Sequence, residues 1–484
     1  MNLADYASMD GLGLAALVKK GEVSPRELAL AARAAMEAVD GQVKAVVETY
    51  PDRIEDLDEA SLGDGPFRGV PFLIKDFLGH EKGRKTEFGS RLCKGYVADV
   101  TSNFCAAVKA AGCNILGRSN TPEYSITCTA ENVLYGNTST PWKLGHCAGG
   151  STGGGAAAVA AGIVPVAHGS DIAGSIRIPA AWSGGVGLKP SRGMVSSGPV
   201  LDEWGFGLSM NFVQTKTMRD TAAMMDCIAV PFPGDPFVVQ RPDRSFADFL
   251  QAPLPALKIG VSTKPLMADA PIDPETVAAV EATAQVLEGM GHAVEPVSFP
   301  FDHEEAVHAM ASHWFFDFSR KLDALGAATG RKPGPDTLEP VTLKFYEMSR
   351  DMDPYAFFDA MDWLNKARRV TGDFFRQYDV MLSPTCALPS PPHGEYGLSI
   401  DGSKTPIDYM LHWSKATQYC FPYNVAGAPA LSLPLALHST GLPIGVQVGT
   451  APQKDHLLIG LGAALEQAMP WAERVPPLHA SRAA

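Results

Sequence analysis

Two serines lie on two separate glycine-bounded loops in segment 145–190. Glycines flank Ser151 closely on both sides, and Ser175 follows Gly174 in a second tight segment, 24 residues later (175 − 151). Consecutive backbone N–H groups in such a turn can converge on a developing oxyanion, and small residues let a carbonyl group come close. This pattern indicates acyl transfer, with Ser175 as the candidate nucleophile.

A serine hydroxyl is a weak nucleophile at its free pKa, so the chemistry requires a base, usually a histidine. His146 and His168 are near the serines in sequence, but a lone histidine among small apolar residues is more often structural. The apolar run 70–74 ends at Lys75. By spacing alone, a lysine at the end of a strand is most often exposed at the surface. The paired serine loops make Lys75 the better candidate base.

These segments resemble the amidase signature family, and the resemblance spans most of the chain. Its motifs are GVPFLIKD (69–76), GRSNTPE (117–123), GGSTGGGAAAVAAG (149–162), SDIAGSIRIPA (170–180) and PYNVAGAPA (422–430). The resemblance implies that Ser175 is the nucleophile and that Ser151, on a cis peptide bond, passes its proton to Lys75. Burial would keep this lysine neutral, since desolvation disfavours the charged form.

The resemblance also assigns roles to the residues around the nucleophile. The expected oxyanion donors are the backbone N–H groups of Ile172, Ala173, Gly174 and Ser175. Asp171 and Arg177 are expected to hold the loop, although an ordinary ion pair is the alternative.

Two positions depart from the commonest family pattern. Thr152 stands where a second serine is frequent, and Ala173 replaces the first glycine of the nucleophile turn. The threonine is not at the proton-bridging position, so it should be tolerated. A methyl group at position 173 would constrain the backbone beside the oxyanion site. Some family members with this alanine resemble hydrolases of cyclic or linear nylon oligomers.

Strands and helices alternate through residue 190, which argues for an α/β fold with helices on the faces of a sheet. The resemblance implies the amidase signature fold, a large mixed β-sheet covered by helices on both faces. It also implies one domain over residues 1–484, with a signature core at 65–220. The implied reaction cleaves a linear C–N amide bond through a serine acyl-enzyme, releasing a carboxylate and an amine or ammonia. Ester or carbamate substrates fit the same route, and no metal or organic cofactor is expected.

Three other interpretations are weaker. The same triad could release ammonia from glutamine or asparagine in a subunit of a tRNA-dependent amidotransferase. The string GGSTG (149–153) fits a G-x-S-x-G nucleophile elbow, but no buried strand precedes it and the lysine strand would be unexplained. A non-catalytic scaffold is disfavoured because all three triad residues are present.

Composition excludes several classes of partner. The formal net charge of −13 disfavours binding to nucleic acid or anionic membranes. Eight cysteines without C-x-x-C spacing argue against a zinc ribbon or a redox pair. The N-terminus lacks a basic region followed by a cleavage site, so a cytoplasmic enzyme is expected. A homodimer remains open.

The later part of the chain is expected to shape the substrate site. Region 301–376 reads as mostly helical, with an aromatic cluster at 313–318 that is interpreted as core packing rather than a substrate wall. Segment 389–405, rich in Pro, Gly and Ser, is expected to be a mobile loop over the site.

Overall fold

The structure is a computed structural model that describes residues 1–201, 203–299 and 302–483. Its strands are short, and most are fully buried. Within the described residues they are β1 Val46–Thr49, β2 Pro71–Lys75, β3 Asn114–Ser119, β4 Glu131–Asn132, β5 Gly136–Asn137, β6 Val166–Asp171, β7 Val186–Lys189, β8 Met210–Thr215, β9 Lys258–Val261, β10 Ala293–Pro296, β11 Val380–Pro384, β12 Ala430–Leu437 and β13 Pro443–Thr450.

The α-helices are distributed along the whole chain. Within the same residues they are α1 Leu3–Ser8, α2 Gly11–Lys20, α3 Pro25–Val43, α4 Asn103–Ala110, α5 Gly153–Ala160, α6 Arg177–Ser183, α7 Met218–Ile228, α8 Pro274–Gly289, α9 His303–Trp314, α10 Phe318–Thr329, α11 Pro340–Arg350, α12 Pro354–Phe374, α13 Pro406–Thr417, α14 Phe421–Ala426 and α15 Asp455–Ala468.

Eleven of the strands form one mixed sheet in the order β1-β3-β2-β6-β8-β7-β12-β13-β11-β9-β10. The strands β3, β2 and β6 are mutually parallel, and so are β11, β9 and β10. The central pairings from β6 through β8, β7, β12 and β13 to β11 are antiparallel. The expected α/β fold with a large mixed sheet is confirmed. Parallel neighbours place the ends of β2 and β6 at the same edge of the sheet.

Local sequence signals start the helices where they were expected. Ser24 accepts a hydrogen bond from the Glu27 N–H while the Glu27 side chain bonds back to Ser24, and Pro25 occupies the first turn. The same cap-then-proline pattern begins α8 at Asp273 and α12 at Asp353.

Two boundaries differ from the expected ones because tertiary contacts overrule local pattern. Segment 120–123 was expected to start a helix, but it forms only a 3₁₀ turn, Glu123–Ser125, in which Tyr124 has a φ of +51°. The strand that follows α5 was expected at 163–167, whereas β6 runs from Val166 to Asp171. The buried end of β6 therefore carries two polar residues, Ser170 and Asp171.

The buried apolar residues form two main cores. One lies around the sheet and α3, and it includes Phe72, Ile115 and Val166. The other is aromatic and surrounds the nucleophile turn. Trp314, Phe315 and Phe318 of the cluster at 313–318 belong to this core, as the core-packing interpretation expects, whereas Phe316 is half-buried.

Segment 389–405 is anchored to the core over part of its length. Pro391 O accepts the Cys147 N–H at 2.9 Å, and Tyr396 O accepts the Thr127 hydroxyl at 2.9 Å. In residues 1–201, 203–299 and 302–483, no helix is both long enough and apolar enough to cross a membrane.

Candidate active site

Lys75 is the last residue of β2, and its side chain is fully buried. Its Nζ lies 2.7 Å from Ser151 Oγ and 2.9 Å from Ser170 Oγ. Burial lowers the pKa of Lys75 well below its usual value, and the charge of Asp171 offsets that effect in part. The amine is therefore placed and conditioned to accept a proton from a neighbouring hydroxyl.

Ser151 lies in the glycine loop that leads into α5, and it is almost completely buried. The peptide bond between Gly150 and Ser151 is cis. The Thr121 hydroxyl donates to Ser151 O at 3.0 Å. Thr152 ties the loop to the end of β6, since its Oγ1 lies 3.3 Å from both the N and the O of Ser170. These contacts position the Ser151 hydroxyl beside the lysine.

Ser175 lies between β6 and α6 and retains 7% exposure. Its carbonyl oxygen accepts the Thr152 N–H at 3.2 Å, which links the two serine loops directly. Ser175 also lines a small pocket of about 10 Å³, roughly the space that one water molecule needs. The other lining residues are Ser125, Ile126, Thr127, Cys128, Ala173, Ile178, Trp314 and Trp413. Most of them are apolar, and Trp314 serves both the aromatic core and this pocket.

The nucleophile turn, residues 172–175, requires glycine at position 174 but not at position 173. Gly174 has a φ of +124°, and a Cβ added there would lie 2.6 Å from the Ile178 side chain. Of Ala173 and Gly174, only the glycine has positive φ, so the alanine methyl causes no backbone strain. The Gly174 N–H donates to Asp171 Oδ1 at 2.8 Å. One of the four expected oxyanion donors is thus already engaged.

Asp171 and Arg177 form a buried bidentate ion pair, with both N–O distances at 2.9 Å. Asp171 also accepts the Ile176 N–H at 3.2 Å, so the pair organises the loop as well as neutralising charge. Although burial alone raises the pKa of Asp171, the adjacent guanidinium brings that pKa down to about 2. The carboxylate is therefore ionised at any ordinary working pH.

His168 is close to the lysine but is committed to a structural role. Its Nδ1 accepts the Lys75 backbone N–H at 3.2 Å, and its Nε2 lies 3.2 Å from Asn211 Oδ1. Burial lowers the pKa of His168 to about 3. His146 instead contacts Ser390 O through Nδ1 at 2.8 Å. Neither contact gives a histidine the position of the base.

Three contacts at the site were missed by sequence reasoning. Ser170 contacts the lysine amine, and Asn424 and Gln447 contact Arg177. Asn424 lies inside the recognised segment 422–430, which was a usable signal. Ser170 precedes Asp171 in another recognised motif. Gln447 carried no local signal, because its partner is 270 residues away in sequence.

Comparison with known proteins gives one consistent family. The amidase family model matches residues 27–459. A 6-aminohexanoate-cyclic-dimer hydrolase of Pseudomonas sp. (strain NK87) is 34% identical over 487 residues, which covers 97% of this chain and 96% of that relative. An acylamidase of Rhodococcus erythropolis is 30% identical and covers 96% of each chain.

The fold comparison agrees with the sequence comparison. The solved structure of a 6-aminohexanoate cyclic dimer hydrolase superposes with a TM-score of 0.92 at 32% identity. The match covers 98% of this chain and 99% of that one. The chain is therefore a member of the amidase signature family, the hydrolases that act on carbon–nitrogen bonds.

Proposed function

We propose that the protein hydrolyses amides through an acyl-enzyme on Ser175, with Ser151 as proton bridge and Lys75 as base. The observation that carries the proposal is the 2.7 Å contact between the buried lysine amine and Ser151 Oγ. A neutral amine at this position accepts a proton directly, whereas an ammonium group cannot.

The first step forms a bond between Ser175 Oγ and the substrate carbonyl carbon. The Ser175 proton passes to Ser151 Oγ, and the Ser151 proton passes to Lys75 Nζ. When the C–N bond breaks, the proton returns along the same path to the leaving nitrogen. Water then attacks the ester of Ser175 and gives a proton through Ser151 to Lys75. That proton returns to Ser175 Oγ as the Oγ–acyl bond breaks, and the acid leaves as its carboxylate.

The developing oxyanion is proposed to bind at the backbone of the nucleophile turn. Because the Gly174 N–H already donates to Asp171, the N–H groups of Ile172, Ala173 and Ser175 remain as donors. Loss of one such donor typically costs about 10²-fold or more in rate. Asp171, Arg177 and Thr152 are proposed to hold this turn in place.

The side chains beside Ser175 favour an apolar acyl group on a linear amide, since they include Ile126, Ile178 and two tryptophans. Cyclic amides are the second candidate class. The relatives named as cyclic-dimer hydrolases favour it, with the same fold over nearly the whole chain. The acyl-enzyme route serves both classes, because a cyclic amide opens to a single product that carries both new ends.

The test is hydrolysis of a chromogenic anilide and its matched ester by the purified wild type and by Ser175→Ala. The same preparation is given the 6-aminohexanoate cyclic dimer and the linear dimer. We expect serine-dependent turnover of the anilide or ester, and a near-complete loss in Ser175→Ala. Lys75→Ala should be strongly impaired, since the base is removed.

Folding of each variant is checked by circular dichroism. Turnover that survives in a folded Ser175→Ala variant would overturn the nucleophile assignment. A wild type that is inactive on all four substrates but releases ammonia from glutamine would favour the amidotransferase interpretation instead.

A further inference from the structure

Three side chains of types that can bind a metal ion come together from three separate segments, and Lys75 is not among them. They are Glu131 on β4, Cys147 in the loop before the glycine run, and His393 in segment 389–405. Cys147 Sγ lies 2.9 Å from Glu131 Oε1 and 3.6 Å from His393 Nδ1. His393 Nδ1 is 3.5 Å from the same Glu131 oxygen.

These separations are close to those that a tetrahedral ion requires. With a zinc–sulfur distance of about 2.3 Å and zinc–nitrogen or zinc–oxygen distances of about 2.0 Å, ligand atoms lie roughly 3.3–3.6 Å apart. Two of the three observed distances, 3.6 and 3.5 Å, already fit. The third is short because the thiol donates to the carboxylate, and a bound ion would replace that proton.

The groups around the cluster orient the ligand atoms inward. His393 Nε2 lies 2.9 Å from Ser139 Oγ, which leaves Nδ1 facing the other two ligands. Glu131 Oε2 accepts the Gly394 N–H at 3.0 Å, so Oε1 points at the cluster. A hydrogen bond to the remote ring nitrogen is the usual support of a metal-bound histidine.

The surroundings suit an ion that enters from solvent. Cys147 is fully buried and Glu131 is nearly so, whereas the His393 side chain is 18% exposed. Solvent therefore reaches the His393 side of the cluster, which gives an ion a path of entry. Once an ion replaces the thiol proton, its charge would balance the buried thiolate and carboxylate together.

We propose that Glu131, Cys147 and His393 bind one divalent transition-metal ion of the zinc type, distinct from the catalytic triad. The ion would cross-link segment 389–405 to the loop that carries Ser151. Backbone bonds already join these segments, since His393 N donates to Gly145 O at 3.0 Å. The role is structural, because Cys147 lies outside the proton path proposed above.

The test is titration of the chelator-treated full-length protein with Co²⁺, followed by absorption spectroscopy. We expect one Co²⁺ per chain, a thiolate-to-cobalt charge-transfer band and the visible bands of tetrahedral cobalt. Zn²⁺ should displace the cobalt and raise the melting temperature of the wild type. Cys147→Ser should lose the charge-transfer band, and Cys227→Ser, a half-buried cysteine outside the cluster, should keep it.

Two further variants keep the proposal testable if Cys147→Ser fails to fold. The His393 side chain is partly exposed, and His393→Gln should abolish the rise in melting temperature that Zn²⁺ causes. Ser139→Ala should weaken cobalt binding by about 10–100-fold, the usual effect of removing the partner of a metal-bound histidine. A wild type without the charge-transfer band, or Zn²⁺ stabilisation that is unchanged in His393→Gln, would show that a proton-bridged cluster and not a metal site lies here.

Discussion

Ser170 is the second hydroxyl in contact with the Lys75 amine, beside Ser151, and its role can be separated from those proposed for Ser151 and Ser175. In the proposed mechanism, a neutral Lys75 amine accepts the Ser151 proton and donates one of its own hydrogens to Ser170 Oγ, 2.9 Å away. We expect Ser170→Ala to lower kcat/KM by up to about 10-fold, since a hydrogen bond contributes about 0.5–1.5 kcal/mol. The loss should be in kcat, because the pocket walls are unchanged.

The control for Ser170→Ala is Ser262→Ala. Ser262 is also fully buried, and its Oγ has no hydrogen-bond partner among the described residues. Its removal should leave kcat/KM unchanged. Equal losses in the two variants would mean that Ser170 acts only through general packing.

The pH dependence of kcat/KM reports the ionisation of Lys75. Because only the neutral amine is a base, the rate should fall as pH drops through the lysine pKa and should level off above it. Burial lowers that pKa, so the plateau should extend well below the usual lysine pKa of about 10.4. Ser170→Ala should shift the acid limb of the profile, where the rate falls, to lower pH. The reason is that the ammonium form of Lys75 loses a hydrogen-bond acceptor.

His168 provides the matched comparison for this profile. With a pKa of about 3 it stays neutral from pH 5 to 9, so it should contribute no limb there. His168→Gln and His146→Ala should each keep the acid limb and substantial activity. A limb that disappears with either histidine, or complete loss of activity in either variant, would contradict the lysine base.

The sequence indicated Lys75, Ser151 and Ser175 as the candidate triad because each lies in a recognisable local motif. It could not show how Lys75 is held, because that depends on atoms brought together by the sheet. The contact to Ser170 spans 95 residues and the contact to His168 spans 93. Local spacing carries no information about such pairs.

At the scale of elements, α5 is placed by close contact rather than by helix propensity. A Cβ added at Gly154 would lie 2.3 Å from Asn120 N and 2.6 Å from Ala45 O, both of which are backbone atoms. We expect Gly154→Ala to destabilise the protein by about 2 kcal/mol or more, since overpacking that moves backbone typically costs 1–3 kcal/mol. Chemical denaturation measures the change.

Gly41 in α3 is the matched control for this substitution. It is exposed, and an added Cβ would meet nothing within 4 Å. Gly41→Ala should stabilise the protein by about 0.5–1 kcal/mol, the helix propensity difference. Destabilisation by both variants would show that the helices, and not the contact at Asn120, set the effect.

Element boundaries were predictable where the signal is local. Ser24 with Glu27, and Asp273 before a proline, start helices as their cap chemistry requires. Segment 120–123 has the residues of a helix cap but starts no α-helix, because its side chains form hydrogen bonds with other parts of the structure. Asn120 donates to Gly136 O, and Thr121 contacts Ser151 O and Ser125 Oγ. Tertiary hydrogen bonds thus replaced the helix that the local pattern favoured.

At the scale of the whole molecule, Arg177 joins the nucleophile turn to the C-terminal part of the chain. Its Nε and Nη2 bind Asp171, and Nη2 also donates to Asn424 Oδ1 at 2.7 Å. Its Nη1 donates to Cys420 O and to Gln447 Oε1, each at 2.8 Å. All five guanidinium hydrogens therefore have acceptors, which requires β6, α14 and β13 to be assembled together.

Removing the Arg177 charge alone should cost far more stability than removing the charges of both Arg177 and Asp171. Arg177→Met leaves the Asp171 carboxylate buried without its cation, and we expect about 3–5 kcal/mol of lost stability together with lost activity. The double variant with Asp171→Asn should recover part of that stability, because no buried charge is left unpaired. Activity should stay low, since the amide that replaces the Asp171 carboxylate has one acceptor oxygen for the Gly174 N–H but none for the Ile176 N–H, which bonds to the second carboxylate oxygen in the wild type.

Chemical denaturation of the wild type, both single variants and the double variant gives the coupling energy. Arg376→Met is the control, because its pair with Asp373 is exposed and such pairs contribute only about 0–1 kcal/mol. If the double variant is as unstable as the sum of the single variants, the two residues act independently. The nucleophile turn would then be held by the backbone alone, and the C-terminal segment would be only a neighbour of the site.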